Sequence, residues 1–265
     1  MLKVSLCLIN YNSKSELVNL LNSIELSNRI EISIIVFDNS SINELSFISK
    51  KKYPFDINVI WDGKNSGYFG RINDYLENIK NDLSDYYIYA NCDLEFDNYF
   101  FEELLKLENK DNVILAPKIT NRDETINFNP KYIDKPKKYK IKLIYNIFKY
   151  NSLFKLYQFL SFYFNKLKSN KSKVDEVFDN IYCPHGALLI FNSKLILNEC
   201  KNFPLFLFGE EIFLAEKANL FNVPICYLPK LKIFNIGEVS VGKMKNRNSY
   251  YVKSLKFILD EFYEN

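Results

Sequence analysis

Two acids one residue apart, Asp93 and Glu95, follow an apolar run in YYIYANCDLEFDNYF (Tyr86–Phe100). In an extended segment both carboxylates share one face. Such a pair suits a hard cation with oxygen ligands; the bland reading is a solvated acidic turn. Asp38 ends another apolar run, ISIIVFDN (Ile32–Asn39), where Asp38-Asn39-Ser40-Ser41 is also a good turn and helix cap. A further acidic pair, Glu210-Glu211, arrives behind apolar Phe206-Leu207-Phe208-Gly209. One of its carboxylates could serve as a general base, and both would also suit the first turn of a helix, where its dipole favours acids. Arg71, one of few arginines, offers either a phosphate contact or a surface ion pair, and the single histidine, His185, a ligand contact or a structural one.

The elements that would position these residues alternate. VSLCLINY (Val4–Tyr11) reads as a buried strand, followed by a helix with Leu17, Leu20, Leu21 and Ile24 on one face and Ser15 as its cap. INVIW (Ile57–Trp61), YYIYA (Tyr86–Ala90) and NVILAPKI (Asn112–Ile119) read as further strands, and Phe69, Ile72, Leu76 and Ile79 as one helix face. Continuous apolar strands between amphipathic helices predict a parallel sheet covered on both faces, whose ligands sit beyond the strands' carboxyl ends. Tyr11, Asp38, the Asn65–Gly67 loop and Asp93 all follow strand ends, so they should meet in one crevice. No G-x-G-x-x-G follows the first strand and no G-x-x-x-x-G-K-[ST] occurs anywhere, which argues against dinucleotide and P-loop sites.

At 265 residues, 48% apolar and 25% charged, the chain has the composition of a soluble globular protein. Five scattered cysteines without a CxxC pair suit buried thiols in a reducing cytosol. The N-terminus turns polar at Asn10, too early for a cleaved leader, and no run of eighteen apolar residues exists. The net charge of +3 is unevenly spread: Lys131–Lys173 holds twelve lysines against Asp134 alone, leaving −8 on the rest. Eleven aromatics interleave with those lysines, and from Ile141 the stretch is predicted helical. Beyond it come IYCPHGALLIF (Ile181–Phe191), a helix near Ser193–Cys200, the strand VPICYLPKLKIFNIG and an amphipathic helix over Arg247–Phe262.

The segments SLCLINYNS, IIVFDNSS, KNSGYFGRINDYL, IYANCDLEF, HGALLIFNSKL, FLFGEEIFLAEKA and KIFNIGEVS occur in the order seen in family 2 glycosyltransferases. The chain resembles the bacterial, rhamnosyltransferase-like branch that builds O-antigens and capsules, over about Leu2–Ile119 and Ile181–Gly242. The resemblance implies an α/β GT-A fold: a Rossmann-like, mostly parallel sheet flanked by helices, here with a basic helical insert and a C-terminal helix. It implies a nucleotide-sugar half (1–130), the insert (131–175), and an acceptor and base half (176–265) within one continuous domain.

By the same resemblance, Tyr11 lines the base and ribose pocket and Asp38 accepts from the nucleobase. Asn65, Gly67 and Arg71 form the phosphate loop and Asn91 positions the strand-end turn. Asp93, helped by Glu95, holds a divalent cation, Mn²⁺ or Mg²⁺, against the donor diphosphate. Asn235 stands where many relatives carry a histidine ligand and offers a carbonyl oxygen instead. Glu211 takes the general-base role with Glu210 in support, and His185 lines the acceptor site. The implied activity is inverting transfer from a UDP-, dTDP- or GDP-linked sugar to a saccharide or polyprenyl-diphosphate-linked acceptor. The basic aromatic stretch implies peripheral contact with the inner face of the cytoplasmic membrane. Nucleic acid is not expected, since no binding motif occurs and acids line the crevice. The alternatives are a nucleotidyltransferase-like metal enzyme, which lacks its Gly-rich loop here, and an inactive carbohydrate- or membrane-binding relative.

Overall fold

A computed structural model of the protein describes residues 1–48, 53–107, 112–168, 176–237 and 247–264. Glu238–Ser240 of the last motif, and Lys171 and Lys173 of the basic stretch, lie outside these. Eight strands form one sheet: β1 (Leu2–Asn10), β2 (Ile30–Asp38), β3 (Asp56–Trp61), β4 (Tyr86–Asn91), β5 (Leu94–Phe96), β6 (Ile114–Thr120), β7 (Leu188–Phe191) and β8 (Ile225–Asn235). Their spatial order is β3-β2-β1-β4-β7-β6-β8-β5. β1 runs parallel to β2 and β4, β2 to β3, and β6 to β8.

The sheet is mostly parallel, as expected, with two departures. β7 enters antiparallel to both β4 and β6, and the three-residue β5 pairs antiparallel with β8. Asn91-Cys92-Asp93 is therefore where the chain leaves β4 and turns into an edge strand. That is why apolar residues run straight into acids: the acids sit at a strand end.

The pleat sorts the core into two layers. Val4, Leu6 and Leu8 of β1 and Ile32, Ile34 and Val36 of β2 face one layer; Cys7 and Ile9 of β1 and Ile35 and Phe37 of β2 face the other. The first layer is covered by α1 (Lys14–Asn22), through Leu17, Leu20 and Leu21, and by α3 (Phe100–Leu105). The cap of α1 is Ser13 rather than Ser15; the Ser13 hydroxyl donates to Tyr11 O and that of Ser15 to Glu16. The second layer is covered by a 3-10 turn (Phe69–Arg71) leading into α2 (Ile72–Asn78), and by α6 (Lys194–Glu199) and α7 (Glu210–Leu220). The basic stretch forms α4 (Lys138–Phe148) and α5 (Asn151–Lys168). The C-terminal helix α8 (Arg247–Phe262) packs on α4 and α7.

α8 fixes the entry to α7. Tyr251 stacks on Phe208 with centroids 3.8 Å apart. Gly209, the N-cap of α7, has φ +88°, and a Cβ there would lie 2.5 Å from Ser254 Oγ. Only glycine serves at this turn. Gly209→Ala is expected to lose about 1–2 kcal/mol from the left-handed backbone alone. The collision adds to this, and Ser254→Ala in the same chain should return that part; urea unfolding of the two variants and the double variant measures both contributions.

Candidate active site

The ends of β1 and β2 meet in a knot of buried polar groups. Asp38 is fully buried; its Oδ1 accepts from Asn10 Nδ2 at 2.9 Å and from Ser40 N at 3.0 Å. Asp38 Oδ2 and Asn10 Oδ1 are buried acceptors with no hydrogen-bond partner. Two adjacent acceptors without donors are costly unless something supplies donors, which is the chemistry an N–H of a base would provide. Tyr11 and Trp61, both partly exposed, flank the knot, and Trp61 Nε1 donates to Ser40 O.

The Asn65–Gly67 loop is built for a close approach, but by protein. Asn65 Oδ1 accepts from Gly67 N, Asn39 Nδ2 donates to Gly67 O, and φ at Gly67 is +77°. A Cβ there would lie 2.0 Å from Phe206 O, so the loop's glycine makes room for the segment that leads to the second acidic pair. Arg71 corrects the expectation of a phosphate contact. Its guanidinium is buried and every N–H is used: Nε on Asn39 Oδ1, Nη1 on Asp62 and Asp74, Nη2 on Asp62 and Lys64 O. The Arg71 hydrogen bonds hold the Asp62 carboxyl well below its usual range. Arg71 organises the loop from within.

Asp93 lies between β4 and β5, and its backbone carbonyl accepts from Ile236 N. Asn235 is placed beside it, because Leu94 and Asn235 are partners across the β5–β8 pair. The two expected helpers are partly engaged: Glu95 Oε1 takes a 2.6 Å bond from Arg122, and Asn235 Oδ1 accepts from Gly237 N. Asn91 closes β4 with its N–H on Ala187 O. Among the described residues no group of three or more His, Cys, Asp or Glu is arranged to cage a metal. This donor set fits a different kind of site: Mg²⁺-like cations are commonly held by one or two carboxylates together with substrate phosphates.

Glu211, at the start of α7, is buried against Gly186, where a Cβ would lie 2.8 Å from Glu211 Cγ. Lys131 Nζ reaches its Oε1 at 2.6 Å. The strap that carries Lys131, residues 129–132 after β6, also holds His185: Asn129, buried, accepts from His185 N through Oδ1 and donates from Nδ2 to Pro117 O. His185 Nδ1 accepts from Ala187 N. Tyr68 ties the halves together, donating from its hydroxyl to Gly186 O at 2.7 Å. Burial, then the fields of Cys7, Glu210, Glu211 and Asp93, push the Tyr68 hydroxyl well above its ordinary value. Burial and then Asp93 and Asp38 do the same to the Cys92 thiol. Asp93, Glu210 and Glu211 thus all act on the Tyr68 hydroxyl, and Asp93 and Asp38 both act on the Cys92 thiol, which sets the four acids within electrostatic reach of one region beyond the ends of β1, β2 and β4.

The acidic pair is split electrostatically. Burial, then the Glu211 charge, raises Glu210 to about 8, and its Oε2 has no partner. Burial would raise Glu211 too, but the Lys131 charge, then His185, then the hydrogen bonds from Lys131 and the backbone together hold this carboxyl below its usual value. At neutral pH the first glutamate is a neutral acid and the second an anion, a separation typical of acid–base sites. Burial and the Lys131 charge lower His185 to about 4, so it is neutral as well. Sequence reading missed Lys131, Asn129, Tyr68 and Asn10. Lys131 was hidden as one lysine among twelve, and only tertiary pairing sets it apart. Gly186→Ala should displace the clamped Glu211 side chain and lower turnover at least tenfold while nucleotide affinity, measured by calorimetry, stays within about twofold; RT ln 10 sets the corresponding barrier change near 1.4 kcal/mol.

Residues 5–181 match the family model described as Glycosyl transferase family 2. No curated protein matches the chain. Among solved structures, it is similar to GalNAc-T7, crystallised with UDP, GalNAc and Mn²⁺ (13% identity, TM-score 0.61, 98% of this chain and 50% of that one). It is similar to S. aureus TarS 1-349 in complex with UDP-GlcNAc (15%, 0.56, 94% and 61%). It is also similar to the mannosyltransferase PcManGT from Pyrobaculum calidifontis in complex with GDP-Man and Mn²⁺ (13%, 0.55, 89% and 58%). The chain spans 50% to 61% of the length of these structures, and the likeness is one of fold, the GT-A arrangement. With two independent signals agreeing, a sequence model across most of the chain and a shared fold, the chain belongs to glycosyl transferase family 2.

Proposed function

We propose that this protein is an inverting glycosyltransferase that moves a hexosyl or deoxyhexosyl group from a nucleoside diphosphate to a saccharide hydroxyl. The observation that carries the reading is the Glu211 carboxylate pinned by Lys131 Nζ at 2.6 Å beside Glu210, with Asp93 acting on the same Tyr68 hydroxyl as both glutamates. Asp38 Oδ2, a buried acceptor in want of a donor, suits a nucleobase N–H. The acceptor hydroxyl gives its proton to Glu211 as its oxygen bonds to the anomeric carbon, while the anomeric C–O bond to the diphosphate breaks on the opposite face. Asp93 and Asn235 would hold a divalent cation, Mn²⁺ or Mg²⁺, which when bound offsets the charge of the departing diphosphate. Residues 1–130 then serve the donor, 176–265 the acceptor, with α4 and α5 as an insert.

With a panel of UDP-, dTDP- and GDP-sugars and Mn²⁺, slow hydrolysis selective for one donor is expected. Asp93→Ala should abolish it, and Glu211→Gln should lower turnover about 10²- to 10⁴-fold with nucleotide binding nearly unchanged. Wild-type rates in Glu211→Gln would refute the base assignment.

We further place the acceptor on a lipid diphosphate in surface polysaccharide synthesis, such as an O-antigen or capsule. Among the described residues no helix is long and apolar enough to cross a membrane. α4, α5 and the link between them instead expose Tyr139, Leu143, Tyr150, Leu153 and Leu156 among Lys138, Lys140, Lys142 and Lys155, with no acid on either helix. Lysines beside exposed aromatics suit an anionic leaflet, each cation near the surface contributing about 1 kcal/mol. Flotation should show binding to phosphatidylglycerol vesicles, weaker in high salt and lost in Lys138→Glu/Lys142→Glu; equal binding to neutral phosphatidylcholine vesicles would exclude this mode.

A further inference from the structure

The structure assigns Lys131 as the positioning residue of the base: its ammonium, 2.6 Å from Oε1, seats the Glu211 carboxylate against Gly186. The inference rests on Glu211 as the base, and it goes further in saying what makes that glutamate competent.

The geometry is specific. Lys131 Nζ lies 2.6 Å from Glu211 Oε1, and the glutamate side chain is 10% exposed against 34% for the lysine. Glu211 cannot swing toward the β7 side, because Gly186 already lies against its Cγ. The lysine backbone is held too. Asn129 bonds to Pro117 O and His185 N, and Tyr132 exchanges two backbone hydrogen bonds with Cys183. The segment from 129 to 132 is thus stitched to β6 and to the loop before β7, with Lys131 aimed at α7.

The ionisable groups facing Glu211 come from every element packed there: Lys131 and Tyr132 of the strap, Cys183 and His185 before β7, Glu210 of α7, Tyr68 before the 3-10 turn, and Tyr251 of α8. Of these, the tyrosines and Cys183 are pushed up and stay neutral, His185 is neutral at pH 7, and Lys131 alone is a cation. Without its charge, the pair would lose the largest of the influences that favour the anion at Glu211. Lys131 does not serve the leaving diphosphate: an inverting displacement puts base and leaving group on opposite faces of the sugar.

The test is a pH titration of the Glu210 and Glu211 carboxyl carbons by NMR in ¹³C-glutamate-labelled protein, assigned with Glu210→Gln and Glu211→Gln. In wild type, Glu211 should stay ionised into the acid range while Glu210 titrates near 8. Lys131→Met should raise the Glu211 midpoint by about 1–3 units, and Lys131→Arg should hold it. Any donor turnover found with the nucleotide-sugar panel should show its acid limb moving up by the same interval in Lys131→Met, with nucleotide affinity unchanged, and returning in Lys131→Arg. Carboxyl midpoints unmoved in Lys131→Met would overturn the assignment, as would an acid limb that stays in place while the midpoints move. Failure of the transferase reading shows separately, as absence of turnover in wild-type protein, and the titration decides the hold of Lys131 on Glu211 without it.

Discussion

The contact between Lys131 and Glu211 is the point on which the site turns. It joins a strap leaving β6 to the first turn of α7, at a place where the Glu211 side chain is largely withdrawn from water. A carboxylate in such surroundings is stable only with a partner, so the strap, the loop before β7 and α7 have one mutual arrangement that satisfies it. Gly186 and Gly209 are consequences of the same demand. One lets the Glu211 side chain pass and the other lets α8 close against the turn that delivers it.

Donor and acceptor sides are not independent lobes. Gly67 of the strand-end loop is in contact with the carbonyl of Phe206, four residues before Glu210, and Asn39 beside Asp38 bonds to the same glycine. Tyr68 continues the link, with its hydroxyl on Gly186 and Tyr89 donating to its carbonyl. Arg71, saturated by Asp62, Asp74, Asn39 and Lys64, locks this bridge from the inside. Side chains that place Asp38 therefore also place Glu211, through packed backbone rather than through any ligand.

Much of this was legible in the chain. Leu17, Leu20 and Leu21 announced α1 by spacing, and the apolar runs ending at Asp38 and Asn91 announced β2 and β4. In a parallel sheet strand ends share one edge, so the placement of Asp38 and Asp93 at strand ends followed from pattern alone. What escaped depended on contacts distant in sequence. β5 is three residues long and exists because β8 lies beside it; β7 is antiparallel because a long connection brings it back between β4 and β6. Arg71 looked free for a phosphate because Asp62 and Asp74 only meet it once the 3-10 turn forms. Ser15 looked like a cap because local chemistry does not reveal that the chain turns two residues earlier, at Ser13.

The basic stretch shows how a single composition can hold two physical roles. Lys131 and Lys135 form 2.6 Å ion pairs with Glu211 and Glu216, five residues apart along α7, so the start of the stretch runs as a rail beside that helix. Lys138, Lys140 and Lys142 stand exposed on α4 with Tyr139 and Leu143, while Phe148 and Ile141 turn inward and α8 clasps the helix. The rail fixes α4 relative to the base, and Asn248 fixes its far end by donating to Phe148 O. If α4 and α5 rest on a bilayer, then the height of Glu211 above that bilayer is set by a short, doubly anchored segment. A base held at constant height suits an acceptor whose reactive hydroxyl is itself tethered to a lipid, because neither partner then has to search the third dimension.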